Sequence, residues 1–139
     1  MASAVENTTT GGRSTDALFT PITINSLTLP NRIVMAPMGR CFADDGVIAP
    51  GYAEYYSKRV EGGTSLIMGE ASGIMDGASS NPTSPSFYGE AALEAWQGPI
   101  DAVHRAGGFF WPQIWHAGLA RAPGTAPVTD LPSIGPSDW

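Results

Sequence analysis

The chain has 139 residues and a formal net charge of −6, and this length is typical of one small domain. Hydrophobic residues make up 42% of the sequence, which is enough for a core and argues against general disorder. The negative charge argues against a nucleic-acid or anionic-membrane surface, because both partners are themselves negatively charged. The single cysteine, Cys41, excludes an internal disulfide and fits a cytoplasmic protein.

The N-terminal segment differs in composition from the rest of the chain. Residues 1–16 are polar and rich in Ser, Thr and Gly, without the apolar stretch of a secretory signal. We therefore predict a disordered leader over residues 1–16 and a domain over residues 17–139. No apolar run approaches the roughly 20 residues that a membrane helix needs.

The first predicted elements are a hairpin and a short buried strand. Residues 22–29 alternate apolar and polar residues around Asn25-Ser26, which predicts a hairpin. Residues 33–36 form a compact apolar run, which predicts a strand buried on both faces and ended by Pro37. A loop is expected after it.

A helix and a second strand follow. Pro50 suits the first turn of a helix, where its missing N–H costs little. The helix is expected to end at Gly62-Gly63, and residues 65–68 form the second apolar strand. The apolar face of this helix has helical spacing and consists of Tyr52, Tyr55, Tyr56 and Val60.

The second half repeats the alternation. Residues 70–86 predict a loop, and a helix is expected from about residue 90 to residue 105. Pro99 lies inside that helix and predicts a kink or two short helices. Residues 109–115 predict a third strand, and residues 119–139 predict a loop. One side of the helix is expected to carry Leu93, Trp96, Ile100 and Val103.

The order of elements is therefore hairpin, β, α, β, α, β and loop. Alternating strands and helices predict an α/β fold with a parallel sheet and right-handed crossovers.

Three clusters follow or end the three predicted strands: Ala36-Pro37-Met38-Gly39, Gly69-Glu70-Ala71, and Gln113 to His116. In α/β barrels the functional residues lie at the carboxyl ends of the strands. Small residues let backbone N–H and C=O groups approach the edge of a flat heteroaromatic ring. The Gln113 side chain offers both a donor and an acceptor, as a pyrimidine-like edge requires.

The sequence also resembles a known family, the Old Yellow Enzyme family of FMN-dependent NADH:flavin oxidoreductases (ene-reductases). The resemblance covers about residues 18–135. The matching segments occur in family order and are Leu18-Phe19-Thr20-Pro21, residues 31–38, Tyr55-Tyr56, Arg59, Glu61-Gly62-Gly63, Glu70-Ala71, Gly107-Gly108 and residues 113–118.

The resemblance implies the N-terminal part, a hairpin and about three βα units, of a (β/α)8 TIM barrel. It implies non-covalent FMN as cofactor, NAD(P)H as reductant and an activated alkene, such as an α,β-unsaturated carbonyl compound, as substrate. By resemblance, Trp115 and His116 lie on the substrate side. The implied cofactor-binding residues are Ala36, Pro37, Met38, Gly39, Ala71 and Gln113.

Two residues depart from the family pattern. Gly39 stands where the family commonly has Thr or Cys, so a side-chain hydrogen bond to the flavin is expected to be absent. This predicts a shifted redox potential or slower flavin reduction. Leu119 stands where the family often has Arg, and Arg121 follows two residues later, which leaves a flavin contact there open.

By resemblance, the family's substrate-anchoring His/His or His/Asn pair, its proton-donating Tyr, its flavin-contacting Arg and its phosphate site lie beyond the third strand. A full barrel takes about 250 residues, so we expect this chain alone to be catalytically incomplete. The alternative is a non-catalytic or split-barrel subunit that pairs with a complementing chain, or a homo-oligomer. NADH and NADPH are not distinguished by this sequence.

Several residues have a simpler interpretation. Gln113 can be a polar strand end facing water, and His116 an ordinary loop histidine. Cys41 can be a bystander near Gly39, and Glu70 favours a structural hydrogen-bonding role over that of an acid. A metal site is not expected, because the two histidines and one cysteine lack ligand spacing.

Overall fold

The computed structural model describes residues 14–75, 77–125 and 128–137. Most of the predicted leader, residues 1–13, lies outside the described residues. A 3-10 helix spans Asp16–Phe19, where the predicted domain begins.

Two short antiparallel hairpins flank the first core strand. The predicted hairpin is present, with β1 (Ile22–Ile24) paired to β2 (Leu27–Leu29) around Asn25, whose φ is 52°. The second hairpin pairs β4 (Ala43–Asp44) with β5 (Val47–Ile48), where the sequence predicted only a loop. Its Asp45-Gly46 turn has φ values of 47° and 76°, as a two-residue hairpin turn requires.

A parallel sheet of three strands forms the centre of the described part of the chain. Its strands are β3 (Val34–Met35), β6 (Leu66–Gly73) and β7 (Phe109–Trp115), in the order β3-β6-β7. The predicted alternation of strands and helices is therefore confirmed. Val34 is 42% exposed, so the prediction that β3 is buried on both faces is wrong; only the Met35 face is covered by the core.

The helices α1 (Tyr52–Glu61) and α2 (Glu90–Arg105) pack on each other and on the sheet. Pro50 precedes α1 instead of lying in its first turn, because the N-cap is Gly51 with a φ of 96°. Pro99 lies inside α2, which is one helix and not two. Leu93 is exposed, in contrast to the prediction, and the buried face of α2 consists of Ala92, Trp96, Pro99 and Val103.

Aromatic side chains fill the core between the sheet and the helices. Trp96 is 1% exposed and its ring centroid lies 5.8 Å from that of Tyr52 and 5.7 Å from that of Phe110. Tyr56 and Phe110 meet edge to face at 5.5 Å, a geometry that aromatic quadrupoles favour. The core thus holds one face of β6 and β7 against the helices.

The second core strand is longer than predicted and contains a bulge. The sequence predicted a loop from residue 70, but β6 continues to Gly73 because it pairs with β7 as far as Trp115. Met68 pairs with Trp111, and Ala71 pairs with Gln113. Three steps along β6 thus match two along β7, so β6 carries one extra residue.

The architecture is that of an N-terminal portion of a (β/α)8 barrel, as the sequence predicted. The hairpin of β1 and β2 comes first, two βα units follow, and β7 adds the third strand. No closed barrel is formed by the residues that the structure describes.

Candidate functional site

The predicted site residues lie at one edge of the parallel sheet. Because β3, β6 and β7 run parallel, their carboxyl ends meet at the same edge. Residues 36–39 follow β3 directly, and Ala71 and Gln113 are register partners near the ends of β6 and β7. Adjacent strands lie about 4.8 Å apart, so the small side chain of Ala71 borders that of Gln113.

The face on which Gln113 lies follows from the alternation of β7. Phe110 belongs to the core beneath the helices, so Trp111, Gln113 and Trp115 lie on the opposite face. In a barrel this face is the interior. Gln113 is only partly buried, which leaves its amide accessible to a ligand at the sheet edge.

The segment after β3 presents free backbone groups. Met38 is 52% exposed, and the N–H groups of Met38 and Gly39 donate to no other residue in the described part of the chain. A Cβ placed on Gly39 would meet only the Cys41 Sγ, at 3.9 Å. Accessible N–H groups next to a residue without a side chain fit the edge of a planar ring such as isoalloxazine.

Trp115 ends the third strand and His116 follows it, and both are partly buried. The backbone N–H of Gly118 donates to His116 Nδ1 at 2.9 Å. This bond fixes the orientation of the imidazole ring beside the end of β7.

Arg121 does not extend toward the site. Its side chain is fully buried, and its guanidinium donates to the carbonyl oxygens of Thr125, Val128 and Leu131. Arg121 therefore organises the loop that follows β7. In this structure Arg121 therefore has a structural role in the loop and does not point toward the proposed flavin site.

A buried polar group, Glu70, lies behind the segment after β3. Its carboxylate accepts the backbone N–H of Arg40 at 2.6 Å, and its own N–H donates to the Tyr56 hydroxyl at 3.3 Å. Glu70 lies inside β6, not at its end, and the predicted structural role is confirmed. Arg40 was missed by the sequence reasoning, because it meets the tyrosines of α1 only in the tertiary structure.

The same cluster shifts two tyrosine pKa values. Burial raises the pKa of Tyr56 to about 12, with the Glu70 charge adding to the rise and the hydrogen bond from the Glu70 N–H opposing it. Burial, followed by the neighbouring Glu70 carboxylate, raises the pKa of Tyr52 well above its usual value. The Tyr52 hydroxyl makes no hydrogen bond to the residues that the structure describes, so the Glu70 carboxylate acts on Tyr52 as a neighbouring charge.

Two further observations concern metal binding and membrane-spanning helices. Among the described residues, no group of three or more His, Cys, Asp or Glu side chains is arranged to hold a metal ion. None of the described helices is both long and apolar enough to cross a membrane.

Comparison with known proteins identifies the family. The model of the NADH:flavin oxidoreductase / NADH oxidase family matches residues 17–138. The chain belongs to this family. Members of the NADH:flavin oxidoreductase family work with a flavin and a nicotinamide, so the cofactor class that the resemblance implied agrees with the family assignment.

Relatives and solved structures agree with the family assignment. The 12-oxophytodienoate reductase 1 of Oryza sativa subsp. japonica is 38% identical over 127 residues, which are 87% of this chain and 33% of the rice protein. The old yellow enzyme from Trypanosoma cruzi superposes with a TM-score of 0.73 at 35% identity, over 79% of this chain and 29% of that protein. Morphinone reductase in complex with tetrahydroNAD superposes with a TM-score of 0.68 at 37% identity, over 74% and 28%. The chain spans about a third of the length of the curated relatives it matches.

Proposed function

We propose that this chain forms the first part of the FMN site of an ene-reductase, which passes a hydride from NAD(P)H to an activated alkene such as an α,β-unsaturated carbonyl compound. The observation that carries the proposal is the register of Ala71 with Gln113 at the carboxyl edge of the sheet, beside residues 36–39. Three strand ends there combine small residues, accessible backbone N–H groups and one amide side chain.

Each residue has a defined part in this proposal. The N–H groups of Met38 and Gly39 and the amide of Gln113 bind the polar edge of the ring, while Ala36, Pro37 and Ala71 leave space for its plane. Trp115 and His116 flank the substrate. The chemistry that bound FMN supplies is acceptance of a hydride and its delivery to the β-carbon of the alkene.

A flavin titration tests the cofactor part of the proposal. Quenching of flavin fluorescence by the purified chain gives a dissociation constant for FMN. Gln113→Leu removes two hydrogen bonds of about 1 kcal/mol each, so affinity is expected to fall by about tenfold or more. Gln97→Leu, at an exposed position of α2, is the matched control and leaves affinity unchanged. Equal affinity of both variants would refute the assigned role of Gln113.

The reductase activity is measured separately. Oxidation of NADH and of NADPH is followed with FMN and 2-cyclohexenone, a simple activated alkene, on the chain together with a polypeptide that carries the later barrel strands, because the chain alone is expected to be catalytically incomplete. Consumption that needs both FMN and the enone supports the proposed reaction, and consumption with oxygen alone supports oxidase chemistry instead. We also propose a cytoplasmic location, which the negative charge and single cysteine support.

A second candidate is pairing of this sheet with further strands carried by a complementing polypeptide. The strands β3 and β7 are the edges of the described sheet, and unpaired edges favour pairing with another strand. Near them Val34, Trp111 and Ile114 are 42%, 41% and 58% exposed. We propose a heteromeric partner, because a barrel interior needs later strands that differ from these.

Co-expression tests this second candidate. The chain is expressed alone and together with a polypeptide that carries the later strands of a family barrel, and light scattering after gel filtration gives the mass. A one-to-one complex that retains FMN supports the candidate. A homodimer, or a monomer that binds FMN equally well alone, contradicts it.

A further inference from the structure

The segment that follows β3 ends at Arg40, which is held to the body of the fold. The Arg40 backbone N–H donates to Glu70 Oε2 at 2.6 Å, and Glu70 is 1% exposed. The guanidinium carbon of Arg40 lies 4.0 Å from the ring centroid of Tyr55 and 4.5 Å from that of Tyr52. Main chain and side chain of Arg40 are thus held from two different elements, β6 and α1.

The bulge in β6 makes this attachment possible. Met68 and Ala71 pair with Trp111 and Gln113, two residues apart on β7 and therefore on the same face. An unbroken strand would place Glu70 on the face of Met68. The extra residue turns Glu70 toward α1 instead, as bulges do when they redirect a side chain. Ala71 keeps its place beside Gln113.

Hydrogen bonding within the cluster is incomplete. Glu70 Oε1, the Tyr52 hydroxyl and Arg40 Nη1 are buried and bond to none of the residues that the structure describes. Buried polar atoms without partners lower stability, so core stability alone does not explain a carboxylate here. The effect that the geometry does explain is the fixing of the Arg40 N–H.

Backbone strain lies directly beside the attachment. Cys41 has a φ of 57°, a left-handed conformation that is unfavourable for a residue other than glycine. Such a conformation persists only where the surrounding structure enforces it. The neighbour that is held firmly is Arg40, and the residues on its other side are Met38 and Gly39 of the proposed flavin site.

We infer that Glu70 is a positioning residue, which through its hydrogen bond to the Arg40 N–H holds residues 36–39 in the geometry that binds the flavin ring. This inference rests on the proposed function. Glu70 itself is buried behind the segment, so its action passes through the Arg40 N–H.

Two conservative variants separate the effect of side-chain length from the effect of charge. Glu70→Gln keeps the length of the side chain and an oxygen that accepts the Arg40 N–H, but removes the charge. Glu70→Asp keeps the charge but shortens the side chain by about 1.5 Å, one carbon–carbon bond, which breaks the bond to Arg40. Glu94→Asp, at an exposed position of α2, is the matched control.

The first measurement needs no flavin. Cys41 is exposed and is the only cysteine in the sequence, so a nitroxide label attaches there alone, and its electron paramagnetic resonance spectrum reports motion of the segment. Glu70→Asp is expected to mobilise the label, while Glu70→Gln and Glu94→Asp keep the wild-type spectrum. An immobile label in Glu70→Asp, or mobilisation in Glu70→Gln alone, overturns the inference.

The second measurement is FMN affinity of the unlabelled chains. Glu70→Asp is expected to weaken binding by about tenfold, which corresponds to the loss of one charge-assisted hydrogen bond. Glu70→Gln restores binding to within about threefold of wild type, because a neutral acceptor still holds the N–H. Unchanged affinity in Glu70→Asp despite a mobile label overturns the inference. If the wild-type chain binds no FMN, the proposed function fails, and the label alone decides whether Glu70 holds the segment.

Discussion

A methyl group on Gly69 has no room in the folded chain. A Cβ built at this position would lie 2.4 Å from Phe110 Cζ and 3.2 Å from both Cε atoms. Carbon atoms in contact lie about 3.5–4.0 Å apart, so the Phe110 ring would have to retreat by about 1 Å. It has little space to do so, since it is 8% exposed and its centroid is 5.5 Å from that of Tyr56 and 5.7 Å from that of Trp96.

The expected effect of Gly69→Ala is a loss of stability. Overpacking of this kind costs about 1–3 kcal/mol. Alanine restricts the unfolded chain more than glycine does, which offsets about 0.4–1 kcal/mol of that cost. We therefore expect Gly69→Ala to lower the free energy of unfolding by about 1–2 kcal/mol.

Gln97 provides an exposed control position for substitution by alanine. It lies on the exposed side of α2, where substitutions usually change stability by no more than about 0.5 kcal/mol. Gln97→Ala should thus leave the free energy of unfolding nearly unchanged, whereas Gly69→Ala lowers it.

Equilibrium unfolding in urea, followed by tryptophan fluorescence, measures both effects. Trp96 is buried against Phe110 and becomes exposed on unfolding. The midpoint should fall for Gly69→Ala and stay near wild type for Gln97→Ala. A midpoint for Gly69→Ala at or above wild type, with Gln97→Ala near wild type, would show that the core accommodates the methyl group and that the packing argument is wrong.

Two more predictions concern the site and its support. Gly39→Thr should leave the free energy of unfolding in urea unchanged within about 0.5 kcal/mol, because only Cys41 Sγ lies near the new Cβ, at 3.9 Å. With FMN bound, the added hydroxyl should stabilise the electron-rich reduced ring and raise the midpoint potential measured by dye equilibration; an unchanged potential contradicts a contact at residue 39. Tyr56 has its pKa raised by burial to about 12, above the ordinary value near 10, so the folded state holds this proton more tightly and stability falls as the pH rises from about 10 to about 12. Tyr56→Phe should reduce the dependence of the free energy of unfolding on pH, measured in urea titrations, by up to one proton, about 1.4 kcal/mol per pH unit. The dependence should not disappear, because the pKa of Tyr52 is raised too. A pH dependence equal to that of wild type would contradict the assignment.

Much of the fold is encoded locally and was predictable from the sequence. The spacing of Tyr52, Tyr56 and Val60 defines the buried face of α1, because helical periodicity is a property of neighbouring residues. The strand over residues 109–115 and the helix over residues 90–105 were predicted with their observed bounds. The order of these elements predicted a parallel sheet, and with it the meeting of the strand ends near residues 36–39 and Gln113.

The remaining features depend on contacts between distant residues. The length of β6 was underestimated because pairing with β7, not local composition, extends it to Gly73. In α2 the exposed Leu93 and the buried Pro99 reverse the expectation from their side chains, since the rotation of the helix is set by the aromatic core that it covers. The sequence placed Arg121 in a loop without a partner for its side chain. Its acceptors are carbonyl oxygens of residues that come later in the same loop and fold back onto it.

The sequence by itself determined the family and the strand ends that border the candidate flavin site. Those ends could be found because small residues and an amide at the end of a strand are local patterns. Tertiary structure decided how those ends are held. One extra residue in β6 turns the Glu70 carboxylate toward α1 and onto the Arg40 N–H, and keeps Ala71 in register with Gln113. No periodicity in the sequence marks that extra residue, since it is defined only by the count of residues on the paired strand.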